Sequence, residues 1–276
     1  MLISQALNLY GEPDSYERQE NTWLLAEIVG CSALELKLLG EKVLTDTQQQ
    51  QYLQGLARLK QGEPLAYILG SQPFWTLDLT VNQHTLIPRP DSEIVVESIL
   101  SLPVAMDAQI LDMGTGTGAI GLALASERPT WQVTLTDIHL ETLKTAEYNA
   151  KKHDLNNVRF ALGVWYQALQ DTDFKDKFDV IVSNPPYLAD DDSHLDTLLK
   201  YEPKRALVAD KQGLSDIEII VSDAKNHLKV NGFLLIEHGY QQAESVQAIF
   251  KQHGLQAVKT IKDYGDNDRV TIGRFL

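Results

Sequence analysis

Apolar residues in the first 70 positions recur with the spacing of amphipathic helices. Two segments near the middle of this stretch show the pattern, and each follows a capping-box sequence, Ser32–Glu35 and Thr45–Gln48. The apolar positions are Leu34, Leu36, Leu38, Leu39, Tyr52, Leu53, Leu56 and Leu59. The pattern predicts a separate helical domain over residues 1–70.

The next segment changes to short apolar runs typical of strands. Residues 74–81 and 85–87 flank Asn82-Gln83-His84, a polar tripeptide that favours a turn. We therefore predict a β-hairpin with its turn at this tripeptide, within a linker over residues 71–90.

From residue 91 onward, apolar runs typical of buried strands alternate with segments of helical period. Alternation of this kind predicts an α/β fold with a doubly wound parallel sheet over residues 91–276, with its last two strands as an antiparallel pair. The predicted strands are Gln109–Met113, Gln132–Thr136, Val158–Leu162, Phe178–Ser183, Gly232–Glu237, Leu255–Ile261 and Arg269–Phe275. The predicted helices are Ser92–Leu102 (capped by Asp91), Ala119–Ser126, Leu140–His153, Leu214–Leu228 and Gln241–His253.

Composition and charge narrow the possible functions. The 276 residues are 43% hydrophobic and carry a formal net charge of −14, which disfavours binding to nucleic acid through its phosphates. No apolar run approaches the roughly 20 residues of a membrane span, and no signal peptide opens the chain, so we expect a cytoplasmic protein. The seven histidines lack short ligand spacing, so we expect no metal.

A glycine-rich loop follows the first strand of the predicted sheet. Gly114, Thr115, Gly116, Thr117 and Gly118 separate Asp112 from the next helix. Glycines allow the backbone to turn tightly and to approach a ligand closely at a helix N-terminus.

Two residues further along the chain fit the same ligand. Asp137 ends the next strand, where an acid binds ribose hydroxyls, and it could instead cap the following helix. Trp165 follows the third strand and could pack against adenine or within the core. The residues predict an adenosine ligand and leave NAD and S-adenosylmethionine open.

A second polar corner follows Phe178–Ser183. Asn184, Pro185, Pro186 and Tyr187 place two acceptors, the Asn184 side-chain carbonyl and the Pro185 backbone carbonyl, beside an aromatic ring. Such a pair can hold an NH₂ group by both hydrogens, which suits an amide or aryl amine that attacks an electrophilic methyl group. If this strand neighbours the first one, the corner lies beside the glycine loop.

These two motifs carry a resemblance to known families. The pattern Asp112-x-Gly114-x-Gly116-x-Gly118 resembles the first motif of class I methyltransferases. Asn-Pro-Pro-Tyr resembles a different motif, found at this place in methyltransferases that act on amino groups. Further stretches are similar to the bacterial release-factor glutamine methyltransferases: LIPRPDSE (86–93), GVWYQAL (163–169), YEPKRAL (201–207), EHGYQQ (237–242) and DYGDNDRVTIGRF (263–275).

The resemblance implies a Rossmann-like methyltransferase domain that uses S-adenosylmethionine and releases S-adenosylhomocysteine. It implies methylation of the glutamine in the Gly-Gly-Gln motif of class 1 peptide-chain release factors. In this family Gly114–Gly118, Asp137 and Trp165 would bind the cofactor, Asn184 would contact both ligands, and Asn184–Tyr187 would hold the glutamine amide. We expect a monomer in which residues 1–70 dock the release factor.

Three alternatives stay open from the residues alone. A DNA or RNA amino-methyltransferase would use the same corner on an exocyclic base amine, but it needs base flipping and a basic groove. Asp190, Asp191 and Asp192, just past the corner, would repel a nucleic-acid backbone. A NAD-dependent oxidoreductase leaves Asn-Pro-Pro-Tyr unexplained, and a non-enzymatic adaptor leaves the intact motifs unexplained.

Overall fold

The computed structural model describes residues 1–170, 177–192, 195 and 199–276 of the chain. These residues divide into two compact units, Met1–Ser71 and Gln72–Leu276. No helix in the described residues is long and apolar enough to cross a membrane.

The first unit is helical, as its apolar period predicts. Its helices are α1 (Ile3–Leu7), α2 (Tyr16–Val29), α3 (Ala33–Leu38), α4 (Asp46–Lys60) and α5 (Leu65–Leu69). The two predicted capping boxes are present, with Ser32 capping α3 and Thr45 capping α4. Leu24, Leu25 and Tyr52 are fully buried in a core of this unit's own, and the Tyr52 hydroxyl donates to the Ala6 carbonyl at 2.7 Å.

The predicted hairpin exists, but its predicted turn is wrong. The paired strands are β1 (Ser71–Phe74) and β2 (Leu77–Thr80), so the turn lies at Trp75-Thr76, where Trp75 has a φ of +56°. Asn82 does form a turn, because its side-chain oxygen accepts from the His84 N–H at 2.9 Å, yet no strand follows it.

The hairpin packs into the core of the second unit. Phe74, Leu77 and Leu79 are buried there. Two-way hydrogen bonds between the Thr80 backbone and the Asn149 side chain, at 2.8 and 3.1 Å, hold β2 against this unit. Residues 72–90, predicted as a linker, therefore lie within the second compact unit.

A seven-stranded sheet forms the centre of the second unit. Its order is β5-β4-β3-β6-β7-β9-β8, and all neighbouring strands run parallel except the pairs that include β9. The strands are β3 (Gln109–Met113), β4 (Gln132–Asp137), β5 (Val158–Leu162), β6 (Phe178–Ser183), β7 (Leu228–Glu237), β8 (Gln256–Lys262) and β9 (Asp268–Arg274). The doubly wound fold and its antiparallel end are thus confirmed.

Helices flank this sheet, and their apolar faces build two hydrophobic clusters with the buried residues of the strands. The helices are α6 (Glu93–Leu100), α7 (Ala119–Glu127), α8 (Leu140–Lys152), α9 (Asp210–Gly213), α10 (Ser215–His227) and α11 (Ala243–Gln252). The predicted capping of α6 by Asp91 is wrong, because a 3₁₀ turn, Pro90–Ser92, precedes this helix. The Asp91 carboxylate instead lies 3.5 Å from the Arg269 guanidinium.

The order of the strands determines where a ligand binds. After β3 the chain continues to β4 on one side, and β6 pairs with β3 on the other side. Open α/β sheets bind ligands at the carboxyl ends of the strands where the order reverses in this way. The adjacency of β3 and β6 brings the glycine loop and the Asn184 corner to the same edge.

Candidate active site

The glycine loop needs glycine at its alternate positions. Gly114, Gly116 and Gly118 all have positive φ angles, of +68°, +59° and +88°, in the left-handed region that costs other residues energy. A Cβ at Gly118 would also lie 2.6 Å from the Leu122 side chain, whereas a Cβ at Gly116 would meet open space.

Asp112 fastens the loop from inside the protein. Its Oδ2 accepts from the Thr115 hydroxyl at 2.6 Å and from the Gly121 N–H at 3.0 Å, and burial raises the pKa of Asp112 to about 6. Thr115 and Thr117 are buried as well, and the Thr117 carbonyl accepts from the Asn149 amide at 2.9 Å. The side chains of this motif therefore shape the loop.

Asp137 ends β4 beside the loop. One carboxylate oxygen accepts from the Gly116 N–H at 3.2 Å and the other from the His139 N–H at 2.9 Å. Burial raises the pKa of this carboxyl group above its ordinary value. Asp137 is only 7% exposed, but it lines the cavity described below. Each oxygen retains a lone pair for a ligand hydroxyl.

Trp165 closes the same space from the end of β5. Its ring would lie 3.5 Å from a Cβ built at Gly114. The Asp216 carboxyl group of α10 lies near the indole, and both side chains line the cavity described below. Trp165 therefore presents an aromatic surface next to the glycine loop.

These elements enclose a cavity of about 310 Å³. Its volume lies within the range of small-molecule sites. It is lined by His84, Leu86, Gly114, Gly116, Asp137, Ile138, His139, Thr142, Gly163, Val164, Trp165, Asn184, Pro186, Arg205, Ala206 and Asp216.

A smaller cavity of about 190 Å³ adjoins the corner after β6. It is lined by Leu86, Arg89, Asn184, Tyr187, Leu188, Leu199, Ala206 and Leu207. Asn184 lines both cavities, whereas Pro186 lines the larger one and Tyr187 the smaller one. Pro185, which lies between Asn184 and Pro186 in the sequence, is buried.

The corner is held in place from several directions. The Ser183 hydroxyl donates to the Met113 carbonyl at 2.7 Å, which joins the ends of β6 and β3. The Asn184 Nδ2 donates to the Ser92 hydroxyl oxygen at 3.3 Å, and the Tyr187 N–H donates to the Leu207 carbonyl at 3.2 Å. Burial raises the pKa of the Tyr187 phenol.

Sequence reasoning missed four polar residues around this corner. Ser92 and Glu237 contact Asn184, while Arg89 pairs with Glu202. The position of Glu237 in the sequence could have indicated its place in the site. It ends an apolar strand, and the carboxyl end of that strand must meet the carboxyl ends of β3 and β6. Among the described residues, no group of three or more His, Cys, Asp and Glu side chains could hold a metal ion.

Comparisons with known proteins agree with this geometry. Residues 91–202 match the family model described as the methyltransferase small domain, and residues 3–70 match the PrmC N-terminal domain. In structure, the chain resembles a methyltransferase from Pyrococcus furiosus (TM-score 0.55, 20% identity, 83% of this chain and 98% of that chain). It also resembles a 16S rRNA methyltransferase of T. thermophilus in complex with AdoMet and guanosine (TM-score 0.52, 16% identity, 75% and 50% of the two chains). The fold and site thus define a class I S-adenosylmethionine-dependent methyltransferase.

Curated relatives define the family more closely. A release factor glutamine methyltransferase of Salmonella typhimurium is 44% identical over 99% of this chain and 97% of its own length. One of Escherichia coli is 42% identical over 94% and 92% of the two chains, and one of Vibrio cholerae is 48% identical over 80% and 76%. The chain belongs to the family of release factor glutamine methyltransferases.

Proposed function

We propose that this enzyme transfers a methyl group from S-adenosylmethionine to the side-chain amide nitrogen (N5) of the glutamine in the Gly-Gly-Gln motif of class 1 release factors. The observation that carries the proposal is the position of Asn184, which lines both the larger and the smaller cavity. A residue shared by two adjoining cavities can align a donor in one with an acceptor in the other.

The larger cavity suits the methyl donor. Gly114 and Gly116 allow close approach of the ligand, Asp137 offers oxygen acceptors for ribose hydroxyls, and Trp165 offers a flat surface for adenine. When bound, S-adenosylmethionine supplies an electrophilic methyl group on a sulfonium centre. Thr115, Thr117 and Gly118 would contribute through the loop backbone, because both threonine side chains are buried.

The smaller cavity suits a glutamine side chain. An amide nitrogen is a weak nucleophile, since its lone pair is delocalised, so the site must orient it and favour the charge it develops. The Asn184 Nδ2 donates to Ser92, which leaves the Asn184 Oδ1 as an acceptor for one amide hydrogen. We assign the other hydrogen to the Pro185 backbone carbonyl, which follows Asn184 directly in the chain although Pro185 is buried. Tyr187 lines the cavity beside the acceptor.

The reaction requires a proton to leave after the new bond forms. The N–C bond to the methyl group forms as the S–C bond breaks, and the nitrogen then loses one proton to yield the neutral N5-methyl amide and S-adenosylhomocysteine. The nitrogen becomes acidic only as it is methylated, so the site needs acceptor oxygens more than a strong base.

Charge supports a protein substrate over the alternative of an exocyclic base amine in DNA or RNA. The chain carries a net charge of −14, which disfavours binding to a nucleic-acid backbone. Asp190 and Asp191 line a depression close in sequence to the Asn184 corner, where Lys204 pairs with Asp190 at 2.6 Å.

Mass spectrometry tests the proposal directly. A release factor incubated with the enzyme and methyl-labelled S-adenosylmethionine should gain one labelled methyl group on the glutamine of its Gly-Gly-Gln motif. A release factor with asparagine in place of that glutamine is the matched control and should stay unlabelled. Label on DNA or RNA oligonucleotides, with none on the release factor, would contradict the proposal.

A further inference from the structure

Glu237 is a buried carboxyl group beside the Asn184 corner. It is the last residue of β7, where Ile236 pairs with Ser183 of β6 on one side and Glu237 pairs with Val270 of β9 on the other. Only 1% of its surface is exposed, and its Oε2 has no hydrogen-bond partner among the described residues. A buried carboxylate with an unsatisfied oxygen costs free energy, so a role beyond packing is indicated.

The Glu237 carboxyl group belongs to a short polar cluster. The Ser92 hydroxyl and the Asn184 side-chain amide lie near it, and both favour its ionised form. Ser92 also accepts from the Asn184 Nδ2 at 3.3 Å. The NH₂ group of Asn184 thus binds Ser92, and the Glu237 carboxyl group lies beside this pair.

Two charged side chains and a phenol lie near this cluster. The Arg269 guanidinium of β9 interacts favourably with the Glu237 carboxyl group, and Asp91 and the Tyr187 phenol face the same region. Arg269 is itself held by Asp263 at 3.0 Å. Glu237 therefore has a nearby positive charge, and the polar side chains of Ser92 and Asn184 lie beside it.

A carboxylate fixes the orientation of an asparagine amide beside it. Above its pKa of about 7 the Glu237 carboxyl group is ionised, accepts hydrogen bonds and donates none, so only the NH₂ end of Asn184 is favourable beside it. An asparagine amide has two orientations related by a flip, and only one of them presents Oδ1 away from Glu237.

We propose that Glu237 is a positioning residue, which directs the Asn184 Nδ2 inward and its Oδ1 toward the acceptor amide. The inference rests on the proposed role of Asn184 as an acceptor for the substrate. It goes beyond that role because Glu237 lines neither cavity and acts through Asn184.

The first test is Glu237→Gln, which keeps the size of the side chain but adds a donor to the network. We expect kcat to fall about 10- to 100-fold, since small errors in alignment carry costs of this order. The affinity for S-adenosylmethionine, measured by calorimetry, should stay unchanged. Asp179→Asn is the matched control: Asp179 lies near the other end of β6, where its carboxylate binds Lys229 and the Gln109 N–H, and its kcat should stay normal.

A double-mutant cycle separates positioning from a structural role. If Glu237 acts through Asn184, Glu237→Gln should lower kcat in the wild-type background but have no further effect in the Asn184→Ala background. Multiplied losses in the double variant, or a normal kcat for Glu237→Gln alone, would overturn the inference. Should Glu237→Gln fail to fold, as judged by circular dichroism, Ser92→Ala provides the same cycle with a smaller expected loss.

The cycle also distinguishes this inference from the function on which it rests. A slow Asn184→Ala enzyme combined with a normal Glu237→Gln enzyme would reject only the positioning role. A normal Asn184→Ala enzyme would reject the acceptor role of Asn184 and the inference together.

Discussion

At the scale of single residues, the proposed chemistry depends most on Asn184. Asn184→Ala removes the acceptor oxygen shared by the two cavities, and loss of one preorganised contact of this kind costs about 10²–10³ in rate. We expect kcat to fall by that factor, while S-adenosylmethionine still binds through the glycine loop and Asp137. Steady-state kinetics and calorimetry measure the two effects. Asn156→Ala, an exposed control, should behave as wild type.

Glu237 should also make the stability of the enzyme depend on pH. Burial raises the pKa of Glu237 to about 7 in the folded protein, from an ordinary value near 4.5. The folded state therefore binds the proton of Glu237 more tightly than the unfolded state does. The stability that this proton contributes is fully present below the ordinary pKa and is lost as pH rises through about 7.

Urea unfolding of the wild type and of Glu237→Gln provides the measurement. Between about pH 5.5 and pH 8, the free energy of unfolding of the wild type should fall by about 2 kcal/mol relative to the variant. The raised pKa of Asp112 acts in the same direction but is present in both proteins, so it cancels. If the free energies of unfolding of the wild type and the variant differed by a constant amount across this pH range, Glu237 would not be the cause of the pH dependence.

At the scale of elements, the role of the glycine loop can be tested by comparing one of its glycines with a glycine elsewhere in the chain. Gly116 and Gly254 have positive φ angles of +59° and +83°, and a Cβ at either would meet no atom within 4 Å. Alanine should destabilise the protein by about 1–2 kcal/mol at both positions through backbone strain. Only Gly116→Ala places a methyl group at the larger cavity, so it alone should weaken S-adenosylmethionine binding, by about tenfold or more. Equal affinities would show that Gly116 does not approach the ligand.

The elements that sequence patterns predicted best are three of the parallel strands. Gln109–Met113, Val158–Leu162 and Phe178–Ser183 have the predicted bounds. The first and third are buried central strands, which short apolar runs bounded by turn residues indicate, and Val158–Leu162 is the edge strand of the sheet. The turn of the hairpin was misplaced, since Trp75 is typical of a strand yet adopts a left-handed conformation between β1 and β2. Nothing local in the sequence indicates that conformation.

The candidate site, like the fold, was predictable in part from the sequence. Asn184, Gly114, Gly116, Asp137 and Trp165 do come together, because each ends or follows a strand of one parallel sheet. The network behind Asn184 was not predictable, since it joins positions 92, 184 and 237, which only the three-dimensional fold brings into contact.

At the scale of the whole molecule, the two compact units suggest a division of labour. A glutamine side chain is small and common, so the catalytic corner cannot by itself select one protein, and selectivity requires contacts elsewhere. We propose that the helical unit docks the release factor. It has its own buried core, and Leu34 and Leu38 of α3 are exposed apolar side chains on it.

Deletion of residues 1–70 tests this division. The shortened enzyme should bind S-adenosylmethionine normally and methylate a short Gly-Gly-Gln peptide as weakly as the full chain does. Its activity on the intact release factor should fall sharply. Calorimetry and methyl-transfer assays measure these properties, and equal losses on protein and peptide would show that the helical unit supports the catalytic unit instead.

The side chain of Asn149 joins segments that are far apart in the chain. It donates to the Thr117 carbonyl of the glycine loop and exchanges hydrogen bonds with the backbone of Thr80 in the hairpin. Ordering of the loop by a ligand should therefore slow local opening at Thr80. We expect S-adenosylhomocysteine to slow deuterium uptake at the Thr80 amide, and Asn149→Ala to abolish that protection. The hairpin would then report occupancy of a cavity that it does not line.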